Sequence, residues 1–286
     1  MAQIVLILGE SGTGKTTSLR NFQTGEMAIV NVGKKALPFR GKFTMLNSDK
    51  FIEISKFVQE AREKIIVVDD AQYLMGFQYM RRIKENGWDK FNEIQSDYFN
   101  LIEIAKNLPD DKIVFFLSHL ETKDDGRQKV KTIGKMLDEK ITIEGMFTVV
   151  LKTYVSDGNY YFTTQNSGMD TVKSPLGMFP SVIIDNDLKY VAEKIRNYYY
   201  MDGAKTDEEM KDADEAVKTE INPDEKPKRR RRKAESAEEK AEPVAVEEVK
   251  TEPVEQEEQP KVRRRKRRPE SELMHSMEIT DEQIPF

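Results

Sequence analysis

The chain has 286 residues, with 46 Lys and Arg against 51 Asp and Glu, for a net charge of −5. It holds no cysteine and only two histidines, His119 and His275, which excludes disulfides, thiol chemistry, cysteine-based zinc sites and a histidine-rich metal centre. No apolar run reaches membrane-spanning length, and the first is too short for a signal peptide and lacks its basic flank, so the expectation is a cytoplasmic protein with no membrane partner.

Residues 3–8 form a continuous apolar run, the mark of a strand buried on both faces. The run feeds into Gly9–Thr16, GESGTGKT, which fills every fixed position of the G-x-x-x-x-G-K-[ST] phosphate loop. Glycines let successive backbone N–H groups turn toward an anion, and a helix predicted over 15–22 adds the positive end of its dipole. The candidate nucleotide-binding residues are therefore Gly9, Glu10, Ser11, Gly12, Thr13, Gly14, Lys15, Thr16 and Thr17. In this motif Lys15 reaches the β- and γ-phosphates of ATP, and the Thr16 hydroxyl ligates Mg²⁺.

Residues 27–31 read as a second strand and 38–41 as a loop. Ser48 and Asp49 are placed to cap a helix carrying Phe51, Ile54, Phe57 and Val58 at helical spacing. Residues 64–69 are a buried strand ending in two acids, Asp69 and Asp70. An acid at the carboxyl end of a strand neighbouring the phosphate loop lies at the crevice where such sheets bind ligands. Asp69 is thus assigned to the Mg²⁺ shell, through water. Asp70 either orients the attacking water or caps a helix starting near Tyr73. A long amphipathic helix over 89–108 ends at Pro109-Asp110, and 112–117 is a further buried strand. At its end His119 is either a γ-phosphate sensor or a structural histidine.

The pattern then changes. Residues 146–156 and 160–165 are strand-like and joined by Asp157-Gly158-Asn159, a hairpin signal. A strand over 182–184 and a helix over 187–199 follow. Strands alternating with helices imply an α/β fold with a mainly parallel sheet flanked by helices, here with antiparallel strands added at one side. Beyond Met201 the chain is nearly free of aromatics and rich in Glu, Lys, Arg, Pro and Ala, too polar to offset its ordering entropy. The expected division is an ATP-binding domain over 1–200 and a disordered charged tail over 201–286. The tail carries basic blocks at 226–233 and 261–268, suited to touching nucleic acid without reading it, or to binding acidic segments of a partner.

The phosphate loop, Asp69-Asp70, the 115–119 strand end and the segment after it resemble the RecA-like recombinases, most closely the phage single-strand annealing and recombination proteins. The resemblance spans roughly 1–185. It implies a RecA-like P-loop NTPase core, ATP and Mg²⁺ as cofactors, DNA-stimulated ATP hydrolysis with Lys15, Asp70 and His119 in catalytic roles, and work in DNA recombination or repair in a bacterial host cell. In that family a mobile DNA-binding loop follows the sensor strand. Here its place is 121–135, with Lys123, Arg127, Lys129, Lys131 and Lys135 around a Gly126 hinge. Such cations also favour nucleic acid on their own account, by neutralising phosphates; that it is single-stranded DNA is what the resemblance implies. Tyr73, Phe77 and Tyr79 with Arg81, Arg82 and Lys84 are a second candidate, or else core aromatics beneath a solvated face. The family is often a homo-oligomer with an intersubunit ATP site, for which Lys152 and Lys173 are candidate reaches to a neighbour's phosphates.

Two departures stand out. The family places a glutamate just after the strand that follows the first helix, where this chain reads Asn31-Val32, and its N-terminal polymerisation helix has no counterpart before residue 3. The last residues, with Asp281, Glu282, Ile284, Pro285 and Phe286, resemble the terminal peptide of bacterial single-stranded-DNA-binding proteins. That resemblance implies docking to replication or recombination proteins through a terminal ring, carboxylate and flanking acids. Three other readings stay open: an ATPase that loads or remodels a replication complex, a nucleotide kinase, and a non-enzymatic DNA-binding module holding ATP as a structural ligand.

Overall fold

The computed structural model describes residues 1–134, 137 and 140–217. The apolar runs become β1 (Gln3–Gly9), β2 (Met27–Asn31), β4 (Ile65–Asp69) and the first half of β5 (Ile113–Thr122). Short β3 (Thr44–Leu46), β6 (Gln128–Val130), β7 (Val149–Ser156), β8 (Asn159–Thr163) and β9 (Ile183–Asp185) complete the strands among the described residues. They form one sheet in the order β3-β2-β4-β5-β1-β7-β8-β9, with β6 beside the far end of β5. From β3 to β7 all neighbours are parallel, and β8 and β9 add antiparallel pairings at one edge.

Alternation within the central strands feeds two cores, because successive side chains leave opposite faces of a strand. Leu6, Val68 and Phe116 face α1 (Phe51–Glu60), α2 (Tyr73–Arg81) and α3 (Asp89–Lys106) through Ile54, Leu74, Tyr98 and Ile102. Ile7, Val67 and Phe115 face α4 (Leu188–Tyr198) and α5 (Asp207–Val217) through Val191, Ile195 and Met210. The result is a mixed α/β fold, a mostly parallel sheet flanked by helices. No helix among the described residues is long and apolar enough to cross a membrane.

Four expectations change. The strand beside β1 is β5, not the Asp69 strand: β4 pairs with β2 and β5. The helix expected over 15–22 is a 3₁₀ turn over Thr16–Leu19, where the Arg20 and Phe22 N–H groups donate three residues back, to the Thr17 and Leu19 carbonyls, in the tighter 3₁₀ pattern. The 121–135 segment is not an open loop over 121–130. There β5 runs on to Thr122 and turns back as β6, pairing Glu121 with Lys129 and Leu120 with Val130.

The fourth concerns the tail. Order continues past Tyr200 into α5, where a tail was expected. Thr206 and Glu209 cap that helix reciprocally, each backbone N–H donating to the other's side chain. Asp214 accepts from the Tyr190 hydroxyl at 2.7 Å and from Lys194 Nζ at 2.5 Å, and Met210 is fully buried. One apolar residue per turn and one buried ion pair hold a helix that composition alone assigns to solvent.

Candidate functional site

The phosphate-loop motif lies between β1 and the 3₁₀ turn, at the carboxyl end of the parallel strands. Gly12 and Gly14 have φ of 79° and 93°, values that only glycine adopts without strain. Gly14 is needed twice, since a Cβ there would stand 2.8 Å from the Tyr160 ring. Gly9 is needed for space, since a Cβ would come within 1.9 Å of Thr153 Oγ1. Thr13 ties the loop to the β7–β8 hairpin, its hydroxyl 2.6 Å from that of Thr153 and donating to the Glu10 carbonyl at 2.8 Å.

Lys15 is buried, and its ammonium donates to the Gly9 carbonyl at 2.9 Å and the Glu10 carbonyl at 2.6 Å. Burial pulls its pKa down to about 8 against the opposing charges of Asp70 and Asp69. The Thr16 hydroxyl lies 3.0 Å from both oxygens of Asp69. Asp69 reaches it across the end of the intervening β5. Burial, then the charge of Asp70, pushes the Asp69 carboxyl up to about 6. A hydroxyl and a carboxylate in contact, both oxygen donors, match a hard cation such as Mg²⁺, which takes few protein ligands and completes its shell with water and phosphate oxygens.

Asp70 is held in the left-handed region at φ 56°. One carboxylate oxygen is 2.5 Å from Lys35 Nζ and the other 3.2 Å from His119 Nε2. Burial opposes its charge, but these two hydrogen bonds prevail and hold its carboxyl below the usual carboxylate range. His119 is in register with Gly9 across β1 and β5, and its backbone N–H donates to Gln72 Oε1 at 3.1 Å. Asp70 therefore does not cap α2 with its side chain; its backbone carbonyl takes the Tyr73 N–H instead.

Together Ser11, Gly12, Gly14, Lys15, Thr16 and Thr17 share one cavity of about 310 Å³ with Asp69, Asp70 and His119. Gly9, Glu10 and Thr13 are not part of its lining, though the Gly9 and Glu10 carbonyls hold Lys15. No protein-family model matches this chain, and no curated protein matches it.

Three of the cavity's neighbours escaped the sequence reading: Lys35, Tyr160 and Thr153. Lys35 had one usable signal, a lysine four residues beyond Asn31 at a strand end. Asn31 Nδ2 donates to the Lys35 carbonyl at 2.7 Å, and Asn31 Oδ1 accepts the Lys35 N–H at 3.2 Å. Asn31 thus shapes the loop where the resembled family carries an acid.

The cations of the 121–135 segment are dispersed. Lys123 and Arg127 are exposed at the hairpin turn, Lys131 is exposed beyond it, and Lys129 lies 3.0 Å from Glu121. Over 121–131 four cations face three acids, Glu121, Asp124 and Asp125. Lys135 lies outside the described residues, as do Asp281, Glu282, Ile284, Pro285 and Phe286. Tyr73, Phe77 and Tyr79 pack against the core, while Arg81 binds Asp49 and Arg82 pairs with Glu85 and Glu93. The core reading of that stretch is the one the packing favours. Lys152 is taken by Asp170 at 2.5 Å and by Gln128 at 3.1 Å, within the same chain.

Proposed function

We propose that this chain is a RecA-like ATP-binding protein of single-stranded-DNA recombination or annealing, whose ATP hydrolysis is linked to DNA. The observation that carries the reading is the contact of Thr16 with Asp69 at the mouth of a complete phosphate loop. The ends of two strands that are not neighbours, β1 and β4, bring together the hydroxyl and carboxylate that the motif needs.

In this reading Thr16, and Asp69 through water, would hold Mg²⁺, which would supply charge neutralisation to the phosphates. Lys15 gives up the Gly9 and Glu10 carbonyls and turns to the phosphates. Water attacks the γ-phosphorus and the bond to the β,γ-bridging oxygen breaks, giving ADP and phosphate. Asp70 is the group that orients this water. His119 fixes Asp70 from the β5 side and stands where a γ-phosphate can be sensed.

The link to DNA runs along one strand. β5 carries His119 at the cavity and continues into the hairpin that ends in Lys123 and Arg127. The backbone N–H of Lys131 returns to the His119 carbonyl at 2.9 Å. A shift of His119 and a shift of the hairpin are thus mechanically joined, and such coupling acts equally in both directions.

A second reading keeps one observation in its favour. Both oxygens of Asp70 are occupied and Asn31 replaces the family's acid, which suits a DNA-binding module that holds ATP without turning it over. ATP turnover with and without single-stranded DNA separates the two, using wild type, Lys15→Ala and the double variant Lys123→Ala/Arg127→Ala. Turnover stimulated by DNA and lost in both variants supports the coupled ATPase. Turnover that ignores DNA favours a loader or kinase, and DNA annealing that survives Lys15→Ala favours the module.

A further inference from the structure

Lys35 is the one cation on the cavity wall that belongs to no motif. Its backbone is fixed on three counts. Asn31 clasps its N–H and its carbonyl, Lys34 Nζ binds Asp49 at 2.7 Å, and the Val32 N–H donates to the Asp69 carbonyl at 3.3 Å. The turn includes Lys34 at φ 53°, a second left-handed residue besides Asp70 at φ 56°. Residues held in such conformations mark places where the surroundings over-determine the backbone, often at ligand sites. The side chain of Lys35, by contrast, is 62 % exposed, and its ammonium holds Asp70 at 2.5 Å. A rigid base thus carries a long, solvent-facing arm whose tip lies in the same cavity as Lys15, Thr16 and Asp69.

The charges around that cavity make the arm consequential. Its lining carries two lysines, Lys15 and Lys35, and two carboxylates, Asp69 and Asp70, with Lys35 already paired to Asp70. In the motif the loop's backbone cradles the inner phosphates and Lys15 reaches the β- and γ-phosphates. Lys35, Asp70 and His119 line the same cavity, and Asp70 is near enough for its charge to act on Lys15, so the last phosphate of a triphosphate is the one placed to meet them. An added anion there meets the Asp70 carboxylate unless a cation changes partner, and Lys35 reaches that anion by rotation about its own side-chain bonds.

We propose that Lys35 is a terminal-phosphate sensor: it holds Asp70 while the last phosphate is absent and transfers to that phosphate when a nucleoside triphosphate binds, freeing Asp70. This rests on the phosphate-site reading above and adds to it the class of ligand the site tells apart, triphosphate from diphosphate.

The test is calorimetric titration of the full chain with Mg²⁺ and either ADP or a non-hydrolysable ATP analogue. Wild type, Lys35→Ala, Lys35→Arg and Asp70→Asn are compared. The ratio of the two affinities is expected to collapse about tenfold in Lys35→Ala, with ADP changed less than about twofold, and to be largely kept in Lys35→Arg. Asp70→Asn, which removes the competing carboxylate, is expected to raise the ratio. A wild-type ratio retained in Lys35→Ala overturns the sensor while leaving the phosphate site intact. A wild type that binds neither nucleotide overturns the phosphate-site reading and the sensor with it.

Discussion

Gly9→Ala strikes the contact between the phosphate loop and the β7–β8 hairpin, and the cost can be worked from the packing. The new Cβ would meet Thr153 Oγ1 at 1.9 Å, about 1.5 Å inside the 3.4 Å at which ordinary contact begins, with Thr13 Oγ1 at 2.7 Å and Thr153 Cβ at 3.1 Å. Rotating Thr153 moves its hydroxyl but not its Cβ, which is carried by a strand paired on both sides. Overpacking of this kind costs about 2 kcal/mol. Thr153→Ala removes the clashing oxygen and also its hydrogen bonds to Thr13 at 2.6 Å and the Leu8 carbonyl at 3.3 Å, at about 1 kcal/mol. If the two sites were independent, the double variant would lose about 3 kcal/mol; relief of the clash is expected to return at least about 1 kcal/mol of that. Urea denaturation of the four members of the cycle gives the coupling energy directly. Additive losses, or a Gly9→Ala protein as stable as wild type, would refute the contact.

Asp170 is buried and accepts from Lys152, Ser167 and the Val172 N–H, and these bonds outweigh burial to hold its carboxyl below the ordinary range. Its stabilising contribution is therefore full above the unfolded-state value near about 4 and lost as pH falls through the depressed native value. Asp170→Asn is expected to lower stability by about 2 kcal/mol at pH 7 and to flatten the loss below about pH 4, read from melting curves across that range. Met210→Ala, in the helix beyond Tyr200, is expected to cost about 2–3 kcal/mol in the same assay; a neutral effect would mean that α5 does not belong to the fold. Removing Lys123 and Arg127 together is expected to weaken single-stranded-DNA binding at all sequences alike. It should also reduce the slope of log affinity against log salt by about 1.4, checked by fluorescence anisotropy at several salt concentrations.

The central strands and the phosphate loop were legible because each is a local pattern: a continuous apolar run, or a fixed spacing of glycine, lysine and threonine. Asp69 was legible for the same reason. The order of the strands was not, since nothing in residues 64–69 or 112–117 tells which of them lies next to residues 3–8. Lys35 and Thr153 owe their place at the site to that order, so no motif search reaches them. α5 was missed through its composition, although the Thr206–Glu209 cap is itself a readable local signal. The opposite error befell 121–130, where counting cations overlooked Glu121, Asp124 and Asp125 among them and the short alternation that makes β6.

Strand β1 is completed entirely by partners far downstream: β5, some 110 residues later in register, and β7, some 144 later. A chain emerging from the ribosome at about 5–20 residues per second completes residues 9–16 and then waits roughly 5–30 s for the strands that flank β1. Throughout that interval the apolar stretch 3–8 has both edges open, a template for pairing with other nascent chains. In that interval the loop lacks its contacts with Asp69 and Thr153. The first piece of the site to be synthesised is thus the last to be assembled. Mutations that slow the docking of β5 or β7 should show themselves first as poor yield during expression, before any loss in the purified protein.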